Sequence, residues 1–173
     1  MAGVLRHACK TAFSGGLRSL NAVNTLPTKY RAIRCFSASI KLLSETRKDC
    51  QYSEHHEWIK ATDQENVYAV GITDFAQGEL GDVVYCELPA EGDSFEQGSE
   101  VGTIESVKAV SDLFTPVSGE IAEINNQIDG TPSLINKSPY DEGWLFKVKL
   151  EKSEELDSLM DEEKYKEFLK SID

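Results

Sequence analysis

The sequence predicts a mainly β domain, a small sandwich or barrel, with short helices at its periphery. Three observations support this fold class. Short segments are rich in β-branched and aromatic residues, turn-forming Gly, Pro, Asn and Asp lie between them, and helical spacing is confined to brief stretches. Many short strands separated by turn residues are typical of such folds, since each sheet needs a second layer to cover its apolar face.

The first 36 residues have a composition of their own. They hold six basic residues and no Asp or Glu, and they are rich in Ser, Thr, Ala and Leu. This composition is typical of a mitochondrial transit peptide, and Arg34-Cys35-Phe36-Ser37 resembles a presequence cleavage site. We therefore predict a transit peptide over residues 1–36, with a boundary no later than about residue 47, and import into the mitochondrial matrix. A basic tail that stays on the protein is the alternative.

The rest of the chain is strongly acidic. The whole sequence has a formal charge of −12, which leaves residues 37–173 at −18. Such a surface repels phosphate backbones and anionic lipids, and no apolar stretch approaches the roughly 18 residues that span a bilayer. We expect a monomer with no nucleic-acid partner and no membrane partner.

Residues 48–173 are predicted to form one domain. Seven strands are expected in it, and they are Trp58-Ile59, Val67–Ile72, Val83–Cys86, Val101–Ile104, Val110–Phe114, Ile121–Ile124 and Trp144–Leu150. Cys50 and Cys86 have neither C-x-x-C spacing nor a His partner, so we interpret them as small hydrophobic residues. The adjacent His55 and His56 would point to opposite faces of an extended segment, so no metal site is predicted.

Three short helices are predicted around the strands. Asp74 is expected to cap a helix over residues 75–80, and Gly81 to end it. Near the C-terminus, the first apolar stripe predicts one short helix, and a second helix is expected to begin after Asp161. The stripes consist of Leu156, Leu159 and Met160, then Tyr165, Phe168, Leu169 and Ile172.

Residues 98–119 contain apolar residues at every third position, which resembles helical spacing. A strict three-residue spacing drifts by about 60° per step around a helix, so these side chains would not form one stripe. Two strands that reverse at residues 106–109 fit better, and they place Lys108 at the tip of a hairpin. Lys108 is the only Lys between Lys60 and Lys137. From spacing alone, a turn lysine is usually just solvated.

The residues around Lys108 carry a family resemblance. The run Glu105-Ser106-Val107-Lys108-Ala109-Val110-Ser111-Asp112, followed by Pro116-Val117-Ser118-Gly119-Glu120, resembles the lipoylation site of the glycine cleavage system H proteins. Further similar segments occur in the same order over residues 52–172, among them His56-Glu57-Trp58, Val70–Ala76, Leu80–Val84, Glu87-Leu88-Pro89 and Gly143-Trp144-Leu145. The resemblance implies a lipoyl-domain-like hybrid of two small antiparallel sheets, with the modified lysine on a hairpin and no catalytic residue.

The resemblance also implies roles for individual residues. Lys108 would carry lipoate in an amide bond. Glu105 and Gly119 match positions that lipoylating enzymes read, although Glu105 is equally readable as a solvated strand residue and Gly119 as a positive-φ turn residue. Glu57 and Asp112 match positions near the cleft where the loaded arm docks, where a carboxylate would favour a cationic amine. The alternative for both is an ordinary surface acid.

The implied function is that of a shuttle. The carrier would take the aminomethyl group of glycine from a pyridoxal-phosphate-dependent decarboxylase to a tetrahydrofolate-dependent aminomethyltransferase. Electrons would then pass to dihydrolipoamide dehydrogenase, and a lipoylating enzyme would be a fourth partner.

Four alternatives remain at this stage. Biotin carriers usually have Met where Val107 and Ala109 stand, and lipoyl domains of 2-oxoacid dehydrogenases normally belong to longer chains with flexible linkers. A small enzyme would use Glu57 and Asp112 as general acid and base. A scaffold with an unmodified Lys108 is the fourth alternative.

Overall fold

The computed structural model describes residues 44–172, so the predicted transit peptide over residues 1–36 lies outside the described residues. Within that range, nine strands form two antiparallel sheets. The strands are β1 (Gln51–Tyr52), β2 (Glu57–Ala61), β3 (Val67–Ile72), β4 (Val83–Glu87), β5 (Ser94–Phe95), β6 (Glu100–Ser106), β7 (Val110–Phe114), β8 (Gly119–Ile124) and β9 (Phe146–Leu150). One sheet has the order β1-β2-β3-β9-β8-β5 and the other the order β4-β6-β7. Both sheets are open, and the predicted fold class is confirmed.

The predicted strands are all present. β3 and β7 have the predicted bounds, and the last strand begins at Phe146 instead of Trp144. The two-residue strands β1 and β5 were not predicted, because so short a segment has no readable alternation. They exist because β1 pairs with β2 and β5 pairs with β8 at the two edges of the larger sheet.

Short helices surround the sheets in the described part of the chain. They are α1 (Asp74–Leu80), α2 (Asn126–Gly130), α3 (Leu134–Lys137), a 3-10 helix (Ser153–Ser158) and α4 (Glu162–Ser171). None of these helices has the length and hydropathy to cross a bilayer.

The cap of α1 differs from the prediction. Thr73 is the N-cap, because its hydroxyl accepts from the Ala76 amide at 3.2 Å. Asp74 is instead the first helical residue, and its carboxylate accepts from the Gln77 side chain at 2.8 Å. Gly81 ends the helix with a φ of +79°, as the sequence predicts.

The first C-terminal stripe also forms a different structure. Residues 153–158 form the 3-10 helix, and Leu159 and Met160 lie beyond it. Met160 is extended because its backbone exchanges two hydrogen bonds of 2.8 Å with Tyr52. The second helix agrees with the prediction, since Asp161 caps it through the Lys164 amide at 2.8 Å.

Two hydrophobic clusters hold residues 44–172 together. The larger one lies between the sheets and includes Ile59, Val70, Ile104, Ile121 and Phe146. The smaller one attaches α4 to the outer face of β1 and β2, and it includes Cys50, Tyr52, Trp58, Phe75, Tyr140, Tyr165 and Leu169. Cys50 and Cys86 are free and buried, and burial raises the pKa of both thiols to about 12. Neither is therefore a reactive thiolate at neutral pH.

Candidate functional site

The β6–β7 hairpin presents Lys108 at an ordered turn. The Ser106 hydroxyl accepts from the amides of Lys108 and Ala109 at 3.2 and 3.0 Å, and the Ser106 amide donates to the Ala109 carbonyl at 2.8 Å. The Val107 amide donates to the Asp82 carbonyl at 3.0 Å, which ties the tip to the turn before β4. The structure thus fixes the backbone while leaving Lys108 exposed.

The Lys108 side chain lies over Gly81, at the end of α1. A Cβ built on Gly81 would stand 3.3 Å from Lys108 Cε and 3.8 Å from Nζ. Since Gly81 also has a positive φ, glycine serves two purposes here: it ends the helix and it leaves room for the lysine methylenes.

A cleft of about 420 Å³ runs along α1; we call it the α1 cleft. Its walls come from the start of β2, from α1 and from β7, and its lining includes His55, His56, Glu57, Ile72, Phe75, Ala76, Glu79, Leu80, Ile104, Val110, Ser111 and Asp112. The N-terminal end of α1 adjoins Glu57, because the Thr73 amide donates to the His56 carbonyl at 2.9 Å. Lys108 stands at the other end, beside Gly81.

Glu57 is a buried carboxylic acid in this cleft. Only 2% of its surface is exposed. One oxygen accepts from the Phe114 amide at 3.2 Å and the other from the Ser53 hydroxyl. Burial raises the pKa of Glu57, and the hydrogen bonds from Ser53 and Phe114 oppose that rise. A carboxylate has about four acceptor positions, so roughly two remain for a ligand.

Ser53 was not singled out from the sequence. Its hydroxyl accepts from the amides of His55 and Glu57 at 3.2 and 3.1 Å while donating to the Glu57 carboxylate. A serine whose hydroxyl accepts from the amide two residues later is a common turn motif. This motif is the one feature of the sequence that could have pointed to Ser53. Nothing in it indicated a bond to the side chain of Glu57.

Asp112 lines the same cleft as Glu57. It lies on β7 opposite Thr103 and is exposed. Glu79 is a third acid in the lining, and no Lys or Arg occurs among the lining residues that the structure describes. The α1 cleft therefore favours a positively charged guest over a negative one.

The His55 and His56 side chains point in different directions, but the backbone between them is not extended as the sequence predicts. His56 has a φ of +69°, so the segment turns at this residue. The His55 ring stacks on Phe114, whereas His56 Nδ1 lies 2.8 Å from the Tyr165 hydroxyl. Burial lowers the pKa of His56, which is therefore neutral at pH 7. Residues 44–172 contain no group of three or more His, Cys, Asp or Glu side chains arranged to hold a metal ion.

The two predicted recognition residues lie in different sheets. Glu105 is half-buried on β6, in register with Tyr85 on one side and Val110 on the other. Gly119 is buried at the start of β8, and an added Cβ would stand 2.2 Å from the Lys149 carbonyl oxygen. Gly119 is not among the described glycines with positive φ, so the turn interpretation is wrong and close strand packing explains the glycine.

The structure thus brings Glu57 and Asp112 to one cleft, leaves Lys108 beside Gly81 at the end of α1, and leaves Glu105 beside the hairpin tip. Gly119 belongs to the other sheet.

Comparison with known proteins gives a consistent result. The family model described as "Glycine cleavage H-protein" matches residues 50–172. A glycine cleavage system H protein from Carboxydothermus hydrogenoformans is 46% identical over 127 residues, covering 73% of this chain and 96% of that protein. Glycine cleavage system H protein 2, mitochondrial, from Arabidopsis thaliana is 47% identical over 126 residues, covering 73% of this chain and 80% of that protein.

A solved structure agrees with the sequence comparisons. The crystal structure of a glycine cleavage system H protein from Mycobacterium marinum matches with a TM-score of 0.61 and 35% identity, covering 69% of this chain and 95% of that chain. With the family model matching well over half of the sequence and relatives near 47% identity, the chain belongs to the glycine cleavage H-protein family.

Proposed function

We propose that this chain carries lipoate on Lys108 and moves the aminomethyl group of glycine between enzymes of the glycine cleavage system. Members of the family are lipoyl carriers of that system and are not enzymes by themselves. The observation that supports the proposal for Lys108 is its position on an exposed and ordered hairpin tip, beside Gly81 at the end of the helix α1 that lines the acidic cleft.

The α1 cleft fits a lipoyl-lysine arm. Phe75, Leu80 and Ile104 provide an apolar wall against which the hydrocarbon chain of the acylated lysine would pack. When bound, lipoate would supply a disulfide that takes the one-carbon group on one sulfur and a proton on the other, and it would become a dithiol only once that group is passed on. The protein contributes a place to hold and shield the end of the arm.

Glu57 and Asp112 are proposed to hold the cationic end of the loaded arm. An amine near two carboxylates stays protonated, and Glu57 retains acceptor positions for it after bonding Ser53 and Phe114. The roughly two acceptor positions of Glu57 that remain can accept a charge-assisted hydrogen bond from the amine, which contributes about 1.5–3 kcal/mol.

The attachment site is tested with Lys108→Arg. Arginine keeps the positive charge but cannot form the lipoyl amide, so the fold should persist while the lipoyl mass increment and glycine decarboxylation both disappear. Intact-mass measurement of the wild-type protein from its own cells distinguishes lipoyl, biotinyl and bare lysine. A variant that still supports decarboxylation at the normal rate would overturn the assignment of Lys108.

The docking residues are tested with Glu57→Gln and Asp112→Asn, with Glu120→Gln as the matched control. Glu120 is an exposed acid on β8, outside the α1 cleft. The two cleft variants should remain lipoylated yet release ammonia from the loaded carrier about tenfold faster or more, because a bond of about 1.5–3 kcal/mol is lost. Equal release rates in all four proteins would show that these acids are bystanders.

The remaining partners and the location are proposed on the same basis. We propose docking with the decarboxylase, the aminomethyltransferase, dihydrolipoamide dehydrogenase and a lipoylating enzyme that reads Glu105 and Gly119. We also propose a mitochondrial matrix location, supported by plant relatives named mitochondrial and by the composition of residues 1–36, although bacterial relatives are equally similar.

The position of the transit-peptide cleavage is also testable. The Glu45 carbonyl accepts from the Tyr140 hydroxyl at 2.5 Å, and Arg47 pairs with Asp141 at 2.8 Å. These contacts support a cleavage site before residue 45. N-terminal sequencing of protein from purified mitochondria should find a start between about residues 30 and 44, and Met1 or Ala2 at the start would overturn the import proposal.

A further inference from the structure

Four large apolar side chains are exposed around Lys108. They are Val84, Tyr85, Val107 and Val110, with exposed fractions of 52%, 49%, 77% and 65%, and we call them the tip patch. Ile172 is the one other large apolar residue of residues 44–172 that is similarly exposed. Single exposed apolar residues are normal, but several together typically mark an interaction surface.

The sheet pairing explains how the patch is built. The register of β4 against β6 shifts between Val83 and Tyr85, so Val84 is an extra residue and both it and Tyr85 face solvent. Tyr85 pairs with Glu105, which pairs with Val110, so the three side chains stand in one row across the three-stranded sheet. β4 is an edge strand of this sheet, and nothing in the described chain pairs with its outer side.

The charge around the patch specifies its partner. Glu105 lies inside the row, and the exposed acids Asp82, Glu79 and Glu87 flank it on the adjoining elements. Lys108 is the only base between Lys60 and Lys137. A complementary surface would have an apolar hollow with Lys and Arg at its rim.

The short length of the Lys108 side chain indicates which of the proposed partners has to contact the tip patch. Only four methylenes separate the Lys108 amine from the backbone, so an enzyme that acylates this amine has to sit directly on the hairpin and cover its neighbours. Enzymes that act on the far end of the finished arm work at a greater distance. The attaching enzyme is therefore the partner that cannot avoid Val107, Val110 and Tyr85.

We propose that the tip patch is the docking surface for the enzyme that attaches lipoate, with Tyr85 as its central anchor. This rests on the proposed lipoylation of Lys108. In the reaction, the neutral amine attacks the carboxyl carbon of lipoyl adenylate, the amide C–N bond forms, the bond to AMP breaks, and the amine loses a proton. No oxidant or reductant is required. Tyrosine is suited to the anchor because aromatic side chains dominate interface energetics.

The experiment compares unlipoylated wild type with Tyr85→Ser and Val84→Ser, and Ile172→Ser is the matched control. Each protein is incubated below saturation with a purified lipoate ligase, lipoate and ATP. The rate of the mass increase on Lys108 and the affinity for the ligase are then measured. We expect both to fall about tenfold or more for Tyr85→Ser, while Ile172→Ser stays near wild type. Urea unfolding verifies that each variant is folded, and Val110→Ser tests the same surface from another strand.

Three outcomes separate the proposals. Equal lipoylation rates for wild type and all patch variants would overturn the docking surface while leaving Lys108 as the attachment site. Normal lipoylation with slower glycine decarboxylation by the lipoylated Tyr85→Ser protein would assign the patch to the decarboxylase and overturn this inference. Failure of the wild type itself to gain mass at Lys108 would instead overturn the proposed function.

Discussion

Ser53→Ala is the most informative single substitution in the α1 cleft. The Ser53 hydroxyl accepts two amide hydrogen bonds, from His55 and Glu57, so its single proton is committed to the Glu57 carboxylate. Alanine removes that donor and leaves Glu57 with the Phe114 amide as the other donor described. Because Glu57 is 2% exposed, water does not readily replace the lost bond.

The magnitude follows from the strength of that bond. A hydrogen bond to a charged group contributes about 1.5–3 kcal/mol. Its loss should raise the pKa of Glu57 further, because the carboxylate loses a donor that stabilises its charged form. Burial already raises this pKa, so the loss of Ser53 would act in the same direction as burial.

Stability should change with pH in a defined direction. A carboxyl whose folded-state pKa is raised stabilises the fold below its unfolded pKa, and that contribution is lost as the pH rises through the folded-state value. Ser53 offsets part of this loss by favouring the carboxylate. Ser53→Ala should therefore cost about 1.5–3 kcal/mol more at pH 7 than near pH 3.5, where Glu57 is protonated in both states.

Two measurements check this reasoning. Carboxyl carbon NMR shifts give the pKa of Glu57 directly, and urea unfolding gives the stability at both pH values. Ser53→Thr is the matched control because it keeps a hydroxyl at the same position. An unchanged Glu57 pKa in Ser53→Ala, or an equal loss of stability at both pH values, would refute the assigned role of Ser53.

Two further substitutions test the packing around the site. Gly119→Ala would place a Cβ 2.2 Å from the Lys149 carbonyl oxygen. The free energy of unfolding, measured with urea on the unlipoylated protein, should fall by about 1–3 kcal/mol. Unchanged stability would contradict the packing role of Gly119. Tyr165→Phe removes the hydroxyl that lies 2.8 Å from His56 Nδ1 and 2.9 Å from Thr73 Oγ1. The free energy of unfolding should fall by about 1–3 kcal/mol in the same measurement. A variant as stable as wild type would show that these hydrogen bonds do not stabilise the fold.

Local features of the sequence were enough to predict most of the fold. β3 has the predicted bounds because its apolar, partly β-branched run begins after Asn66 and ends before the capping residue Thr73, and β7 has them because it follows the hairpin turn at residues 106–109 and ends before Pro116. The α1 cap was misplaced by one residue because Thr73 and Asp74 are both good capping residues, and burial of Thr73 decided between them. The 3-10 helix was mistaken for an α-helix because the pairing of Met160 with Tyr52 joins residues over a hundred positions apart.

The sequence by itself determined the acidic character of the chain, the hairpin with Lys108 at its tip and the family to which the chain is similar. These depend on composition, on nearest neighbours and on a continuous motif. Only the tertiary structure decided that Ser53 donates to Glu57, that the α1 cleft joins Glu57 to Asp112, and that Gly119 lies against β9. Such contacts depend on how separate strands and helices pack against each other. The spacing of residues along the chain does not give the distance between side chains on different elements.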